Sequence, residues 1–285
     1  LLATNLSDVI NKGHSRHILE LLSSGRQSST GLASVNLVRL RIIGDLAGIL
    51  GDIKQAHMAY EQALIYAREL SDLISEAQIA NRIGQLYILN GQLDRALEMY
   101  RHALLLQERM ADENGKAGTL CNMGQVFSIQ GELDNAFHVY EDSLAVAIHV
   151  NDTRGKSLAL NGLGETCTAR GAYDQAMHYY QESMSLNLDL QDDRGRTAVI
   201  RGISTIQEIR GDLETALEGY LECSAIMAHV GDVRGQAIAL AQIAGIHIAQ
   251  GKLDLALQEY DNSLVLSEKL QDNFSKAATM RRIAA

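Results

Sequence analysis

The chain repeats its own sequence at a fixed period of 40 residues. Sliding the sequence along itself by that distance aligns whole columns of identical residues without a gap. The aligned columns are Gly51, Gly91, Gly131, Gly171, Gly211 and Gly251; Tyr60, Tyr100, Tyr140, Tyr180, Tyr220 and Tyr260; Ala56, Ala96, Ala136, Ala176, Ala216 and Ala256; and Asp72, Asp112, Asp152, Asp192, Asp232 and Asp272. Such a period indicates a repeat architecture, in which each unit packs mainly against its neighbours.

Each unit contains two amphipathic helical patterns. In the unit that begins at Asp152, apolar residues recur at helical spacing from Leu158 to the turn at Arg170 and Gly171. The second pattern has one apolar face, made of Ala176, Tyr180, Met184 and Leu188. The chain contains no proline, which would interrupt a helix. We therefore expect an all-α fold, an α-solenoid of stacked antiparallel helix pairs.

Three columns have architectural roles that follow from their positions. The Asp column stands where an N-cap of the first helix belongs, because its carboxylate can accept hydrogen bonds from the free N–H groups there. The Gly column stands where that helix reverses direction, which requires a left-handed backbone conformation. A third column of small residues allows close helix packing, and it places Cys223 as a packing residue: Ala63, Ala103, Ser143, Ser183, Cys223 and Ser263.

The unit resembles the tetratricopeptide repeat. The resemblance rests on a column of Gly44, Gly84, Gly124 and Gly164, continued by Ser204 and Ala244, with the Ala, Tyr and small-residue columns following at the family's spacing. The commonest unit of that family has about 34 residues and a proline near its end, whereas this unit is longer and lacks the proline. It is more similar to the forty-residue subclass of cell-polarity adaptors and bacterial signalling proteins. The resemblance implies a superhelix whose first helices line a concave groove.

The repeat columns also suggest boundaries along the chain. We expect six complete repeats over residues 32–271, starting near residues 32, 72, 112, 152, 192 and 232. Residues 1–31 read as a degenerate or partial helical unit at the N-terminus. Residues 272–285 match only the front of a first helix, which indicates a truncated seventh repeat. These ends lead us to expect a fragment of a longer protein.

Composition excludes several classes of partner. The net charge is −10 and no stretch concentrates Lys and Arg, so we expect neither a nucleic acid nor a membrane as partner. Cys121, Cys167 and Cys223 are too far apart for a zinc site and do not form a disulfide framework. No signal peptide or membrane-spanning run is visible. We therefore expect a cytoplasmic protein.

No motif in the sequence predicts catalysis or a cofactor. Gly155-Lys156-Ser157 resembles the end of a phosphate-binding loop, but the first glycine of that motif is missing and the same register recurs in other linkers. His138 and His178 share a column on the second helix, where a solvated face is the simpler interpretation. We predict a protein that is not an enzyme, with no cofactor and no metal.

Function is expected on the first helix of each pair. In the resembled family that helix contacts ligands through residues beside the column that begins with Gly44. In this chain those positions carry mainly amides and arginines: Arg41, Asp45, Asn81, Arg82, Gln85, Asn122, Gln125, Asn161, Glu165, Arg201, Thr205 and Gln242. Side-chain amides can pair with the backbone of an extended peptide, and Arg can hold a carboxylate. The alternative is a solvated face that is polar without binding anything.

The leading hypothesis is a non-catalytic adaptor that binds a peptide or protein segment along this groove. The main alternative is a sensor arm of a larger signalling ATPase or transcription regulator, with the signalling domains attached in the parent protein. A self-assembling scaffold is a further alternative. The apolar residues further along the first helices suit either pockets for a partner or the core between repeats: Ile88, Leu89, Ile129, Ile209 and Ile248.

Overall fold

The computed structural model describes residues 15–24 and 33–269 of the chain, and every regular element in these ranges is an α-helix. The helices are α1 Ser15–Ser24, α2 Ala33–Ile49, α3 Ile53–Glu69, α4 Leu73–Leu89, α5 Leu93–Met110, α6 Glu113–Gln130, α7 Leu133–His149, α8 Thr153–Ala169, α9 Tyr173–Asp189, α10 Asp193–Ile209, α11 Leu213–His229, α12 Val233–Ala249 and α13 Leu253–Lys269. From α2 onward they alternate between first and second helices of a pair. The predicted all-α architecture of stacked helix pairs is confirmed.

Two compact units make up the chain, Leu1–Asn122 and Met123–Ala285, and we describe each by itself. The first unit contains α1 to α5 and the start of α6, and the second contains the rest of α6 and α7 to α13. First helices begin at Leu73, Thr153 and Val233, one residue after members of the Asp column. The predicted truncated repeat over 272–285 lies outside the described residues, and of the segment 1–31 only α1 is described.

The Asp column caps the first helices as predicted. The carboxylates of Asp72, Asp192 and Asp232 each accept a hydrogen bond from the backbone N–H three residues later. The Gly column takes the predicted left-handed conformation, with φ from +70° at Gly91 to +84° at Gly211. The boundaries of these first helices therefore follow from local chemistry: a side-chain acceptor at the start, after Asp72, Asp192 and Asp232, and a glycine free of Cβ strain after the end.

The Tyr column packs against the second glycine column, which consists of Gly44, Gly84, Gly124 and Gly164 on the first helices. The ring of Tyr100 lies on Gly84, where an added Cβ would come within 2.5 Å of the ring carbon Cε1. The ring of Tyr180 lies on Gly164 in the same way, and it also covers Gly202 of the next first helix. Glycine at these positions is therefore required by close approach of the ring, not by backbone conformation.

The glycine of the Asp-x-x-Gly linkers is explained by packing at the start of the first helix. The N–H of Gly195 donates to the Asp192 carboxylate at 3.0 Å, and a Cβ at Gly195 would collide with the Asn187 side chain from the preceding helix. The corresponding Gly155 lies in the first turn of α8, next to the Asp152 side chain. The resemblance of Gly155-Lys156-Ser157 to a phosphate-binding loop therefore reflects the repeat linker.

Ion pairs join successive repeats of the second unit at two positions. Near the starts of the first helices, Arg154 Nη2 lies 3.1 Å from Asp192 Oδ2. Near their ends, Arg170 Nη2 lies 2.6 Å from Asp134 Oδ1, and Arg210 Nη2 lies 2.8 Å from Asp174 Oδ1, one period later. These pairs have exposed members, so each contributes at most about 1 kcal/mol and mainly favours the observed register.

Candidate functional site

The twelve predicted residues, which we call the A-face, all lie on first helices and all retain solvent exposure. Arg82, Gln125 and Glu165 are exposed, and the other nine are half-buried. They divide between the two units, from Arg41 to Asn122 in the first and from Gln125 to Gln242 in the second. The A-face is therefore accessible to a ligand in each unit.

In the first unit, five A-face residues converge on one pocket between α2 and α4. The pocket has a volume of about 390 Å³, and its wall contains Arg41, Asp45, Tyr60, Gln78, Ile79, Asn81, Arg82 and Gln85. The Tyr60 side chain reaches it from the second helix and is buried. Sequence reasoning missed Tyr60 and Gln78, because it treated the Tyr column as packing only and considered only positions next to the Gly column.

Two charged groups of this pocket, Arg82 and Asp45, are paired with each other, whereas Arg41 Nη1 donates to Ser75 Oγ at 3.3 Å. Arg82 Nε lies 3.5 Å from Asp45 Oδ1, and Arg82 Nη1 donates to Gln85 Oε1 at 3.4 Å. The Tyr60 hydroxyl donates to Asp45 Oδ1 at 2.6 Å. Burial and the adjacent Asp45 carboxylate raise the pKa of Tyr60 above its ordinary value, so the hydroxyl stays protonated and remains a donor.

Asn81 is held by a buried network that the sequence did not reveal. Its Nδ2 donates to Thr119 Oγ1 at 2.9 Å, and that hydroxyl also contacts Gln107 Oε1 at 2.8 Å. Thr119 and Gln107 are buried. Asn81 therefore links two repeats as well as lining the pocket, and its substitution is expected to affect stability along with any binding.

In the second unit, the A-face forms a chain of polar contacts. Asn161 Nδ2 donates to Glu165 Oε1 at 3.2 Å, and Arg201 Nη2 lies 3.4 Å from the same oxygen. Thr205 donates to the Arg201 carbonyl at 2.9 Å and lies 3.1 Å from the Tyr220 hydroxyl. Arg201 and Gln242 also line a pocket of about 150 Å³.

Two A-face acceptors in the second unit have no hydrogen-bond donor within the described part of the chain. They are Asn161 Oδ1 and Gln242 Oε1, and both atoms are buried. A buried polar atom without a partner costs about 1–3 kcal/mol.

The tyrosine column offers a matched pair of stability predictions. We expect Tyr100→Phe to stabilise the protein by about 1 kcal/mol, because the Tyr100 hydroxyl is buried and has no hydrogen-bond partner among the described residues. Tyr60→Phe should destabilise it by about 1–2 kcal/mol, because it removes the 2.6 Å bond to Asp45. Urea unfolding of both variants measures the difference, and shifts of the same sign would contradict the assignment.

The cysteine and histidine candidates of the sequence lie in different surroundings. No cluster of three potential metal ligands occurs among residues 15–24 and 33–269. Cys223 is buried, and burial raises the pKa of its thiol to about 11, which agrees with the predicted packing role. His138 and His178 are exposed beside Glu141 and Glu182. None of the described helices is both long and apolar enough to cross a membrane.

Comparisons with known proteins agree with the fold of stacked helix pairs. The family model described as tetratricopeptide repeat matches residues 75–149 and 115–189. No curated protein matches the chain by sequence. The residues that the family model matches, 75–189, therefore carry tetratricopeptide repeats, and helix pairs of the same kind recur over the other described residues from 33 to 269.

Several solved structures share the fold at low sequence identity. A Rap protein complexed with competence and sporulation factor is 15% identical with a TM-score of 0.71, and the match covers 97% of this chain and 77% of that one. The Rap conjugation gene regulator of plasmid pLS20, complexed with a Phr peptide, is 14% identical with a TM-score of 0.69, covering 95% and 71%. BtubC from P. vanneervenii is 15% identical with a TM-score of 0.60, covering 77% and 92%.

Proposed function

We propose that this protein is a non-catalytic interaction module that binds a peptide or an extended protein segment on the A-face. The observation that carries the proposal is the pocket between α2 and α4, where Arg41, Asp45, Asn81, Arg82 and Gln85 converge. A solvated face needs polar residues, but it does not need them to surround a common cavity.

The chemistry of the A-face suits an extended backbone. Its amides offer both donors and acceptors, which is the pattern that an extended peptide presents along its length. Asn161 Oδ1 and Gln242 Oε1 have no hydrogen-bond donor among the described residues, so each retains an acceptor for the N–H of a ligand. Two structures with the same fold are complexes, one with a Phr peptide and one with competence and sporulation factor, which supports a peptide as the class of ligand here.

Selection of peptides on the full chain tests the proposal. A phage-displayed library of random 12-residue peptides is the probe, and affinities of the selected peptides are measured by calorimetry. We expect the double variant Arg82→Ala, Gln85→Ala to bind at least about tenfold more weakly, because it removes two pocket side chains worth about 1 kcal/mol each. Their own contacts lie at the surface, so the fold should remain intact.

Arg101→Ala is the matched control for this test. It removes the same type of side chain from an exposed position of the second helix α5. We expect it to leave affinity unchanged within about twofold, since an exposed charge distant from a contact contributes little. If the pocket variant and the control bind the selected peptides equally well, the A-face is not the binding surface.

A regulatory role is the second candidate function. The similarity in fold to a conjugation gene regulator in complex with a Phr peptide favours it. In this case the A-face would bind a signalling peptide, and binding would alter the activity of an attached or associated effector. The peptides selected above would then change the activity of that effector, whereas an adaptor would only recruit it.

A further inference from the structure

Exposed aliphatic side chains continue the A-face of the first unit by one helical turn. Ile49 follows Asp45 by four residues on α2, and Leu89 follows Gln85 by four residues on α4, so each lies on the same face as the pocket residue. Their exposed fractions are 50% and 37%. We call Ile49 and Leu89 the apolar row.

The same sequence column carries exposed isoleucines in the second unit. Ile129 follows Gln125 and Ile209 follows Thr205, again by four residues, with exposed fractions of 53% and 51%. These values settle part of the choice that the sequence left open. Leu89, Ile129, Ile209 and Ile248 are exposed rather than core residues, and Ile88 is half-buried.

Two of the three arginines of the A-face are paired with carboxylates: Arg82 lies beside Asp45, and Arg201 lies beside Glu165. The third, Arg41, donates from Nη1 to Ser75 Oγ at 3.3 Å. A charged ligand group at Arg82 or Arg201 would have to displace one of these carboxylates, so these two positions offer charged ligands little net attraction.

What remains available on the A-face is amide chemistry and aliphatic surface. Amides bind backbone groups of any sequence, so they set the extended geometry without selecting side chains. Exposed aliphatic side chains select apolar partners, because burying them removes apolar surface from water. The net charge of −10 further disfavours acidic ligands.

We propose that the ligand of the first unit is an uncharged extended peptide segment, held by the amides and anchored by large aliphatic side chains against the apolar row. This inference rests on the proposed function and specifies its ligand class. Successive side chains of an extended chain point to opposite faces. The anchoring side chains, which contact one surface, are therefore an even number of residues apart in the ligand, as at positions i and i+2 or i and i+4.

Peptides selected from the random 12-residue library test the inference through their sequences and their salt dependence. We expect the selected peptides to share aliphatic residues at positions i and i+2 or i and i+4 and to lack a net charge. Their affinity should change less than about threefold between 50 and 500 mM salt, because no exposed ion pair forms on binding. An acidic or basic consensus whose affinity falls tenfold or more in this range would overturn the inference.

Variants of the apolar row provide a second readout with a matched control. We expect Ile49→Gln with Leu89→Gln to weaken binding at least about thirtyfold, equivalent to about 2 kcal/mol. The control is Ile65→Gln with Leu105→Gln, which changes the same residue types at more exposed positions, 56% and 55%, on the second helices α3 and α5. The control should bind like the unmodified protein.

The outcomes separate this inference from the proposed function. Loss of binding in Arg82→Ala, Gln85→Ala but not in Ile49→Gln, Leu89→Gln would overturn the apolar anchor while the A-face remains the binding surface. If no peptide binds the unmodified chain, the proposed function itself fails, and the inference fails with it. Equal loss in the apolar-row variant and its control would also overturn the anchor.

Discussion

Gly84→Ala is expected to destabilise the first unit by about 1–3 kcal/mol, the cost of adding a methyl group to a filled core. The new Cβ would stand 2.5 Å from Tyr100 Cε1, and the Tyr100 side chain is completely buried. The ring has no open space to move into, so the helix pair must separate or the ring must leave its preferred rotamer. Urea unfolding followed by circular dichroism measures the loss.

Gly118→Ala is the matched control in the same unit. Gly118 lies inside α6, and an added Cβ would meet nothing within 4 Å. The same substitution should therefore stabilise the protein by about 0.5–1 kcal/mol through helix propensity. Equal effects of the two substitutions would show that the tyrosine and glycine columns do not pack as described.

The fifth repeat shows how the fold accepts a larger residue in the glycine column. Ser204 stands in this column, and a Cβ at Gly219 on the facing helix would collide with its hydroxyl. Gly219 precedes Tyr220, where the other repeats carry larger residues. Ser204 on the first helix therefore occupies the space that a side chain at position 219 of the second helix would need.

Removal of both partners of Glu76 is expected to cost about 3–5 kcal/mol, the typical effect of leaving a buried charge uncompensated. The Glu76 side chain is only 10% exposed, and its Oε1 accepts from Arg68 Nε at 2.8 Å and contacts His102 Nε2 at 2.9 Å. We expect Arg68→Ala with His102→Ala to show this loss in urea unfolding at neutral pH. Adding Glu76→Gln should restore about 1–3 kcal/mol, because the amide has no charge to desolvate.

The pH dependence of the unfolding free energy, compared between the unmodified chain and the Arg68→Ala, His102→Ala variant, checks that these two residues stabilise the charge of Glu76. Burial by itself raises the pKa of Glu76, but the hydrogen bonds and charges of Arg68 and His102 outweigh it and hold that pKa below the ordinary 4.5. A lowered carboxyl pKa contributes stability that is present above pH ~4.5 and is lost as pH falls through the folded value. In the double variant only burial acts on Glu76 and raises its pKa, so the difference in unfolding free energy between the unmodified chain and the double variant should begin to narrow above pH 4.5 and continue to narrow below it. A gap independent of pH would contradict the account.

The fold could be predicted because each repeat column has one local physical role. The Asp column caps helices, the Gly column adopts positive φ, and the Gly84 column accommodates the tyrosine rings. Each role depends on contacts within one pair of helices, so a pattern that repeats six times predicts it from the sequence. The backbone conformation of the turns after the second helices was harder to predict, because residues such as Ser71 and Ala111 adopt positive φ without being glycine.

The site was only partly predictable, because pairing between repeats is not a property of a column. The sequence indicates that Arg82 and Asp45 flank the Gly column, but it does not show that they neutralise each other across two helices. Asn81 likewise belongs to a buried network through Thr119 that no periodicity reveals. The twelve A-face positions therefore remain a prediction about binding, while their exposure and mutual contacts are defined.

Methyl NMR of the chain titrated with a selected peptide tests the central claim most directly, since that claim is that ligands bind on the first helices. The methyl resonances of Ile49 and Leu89 should shift to saturation, while those of Ile65 and Leu105, which are more exposed and lie on second helices, should stay in place. Shifts confined to Ile65 and Leu105 would place the ligand on the second helices and contradict the account.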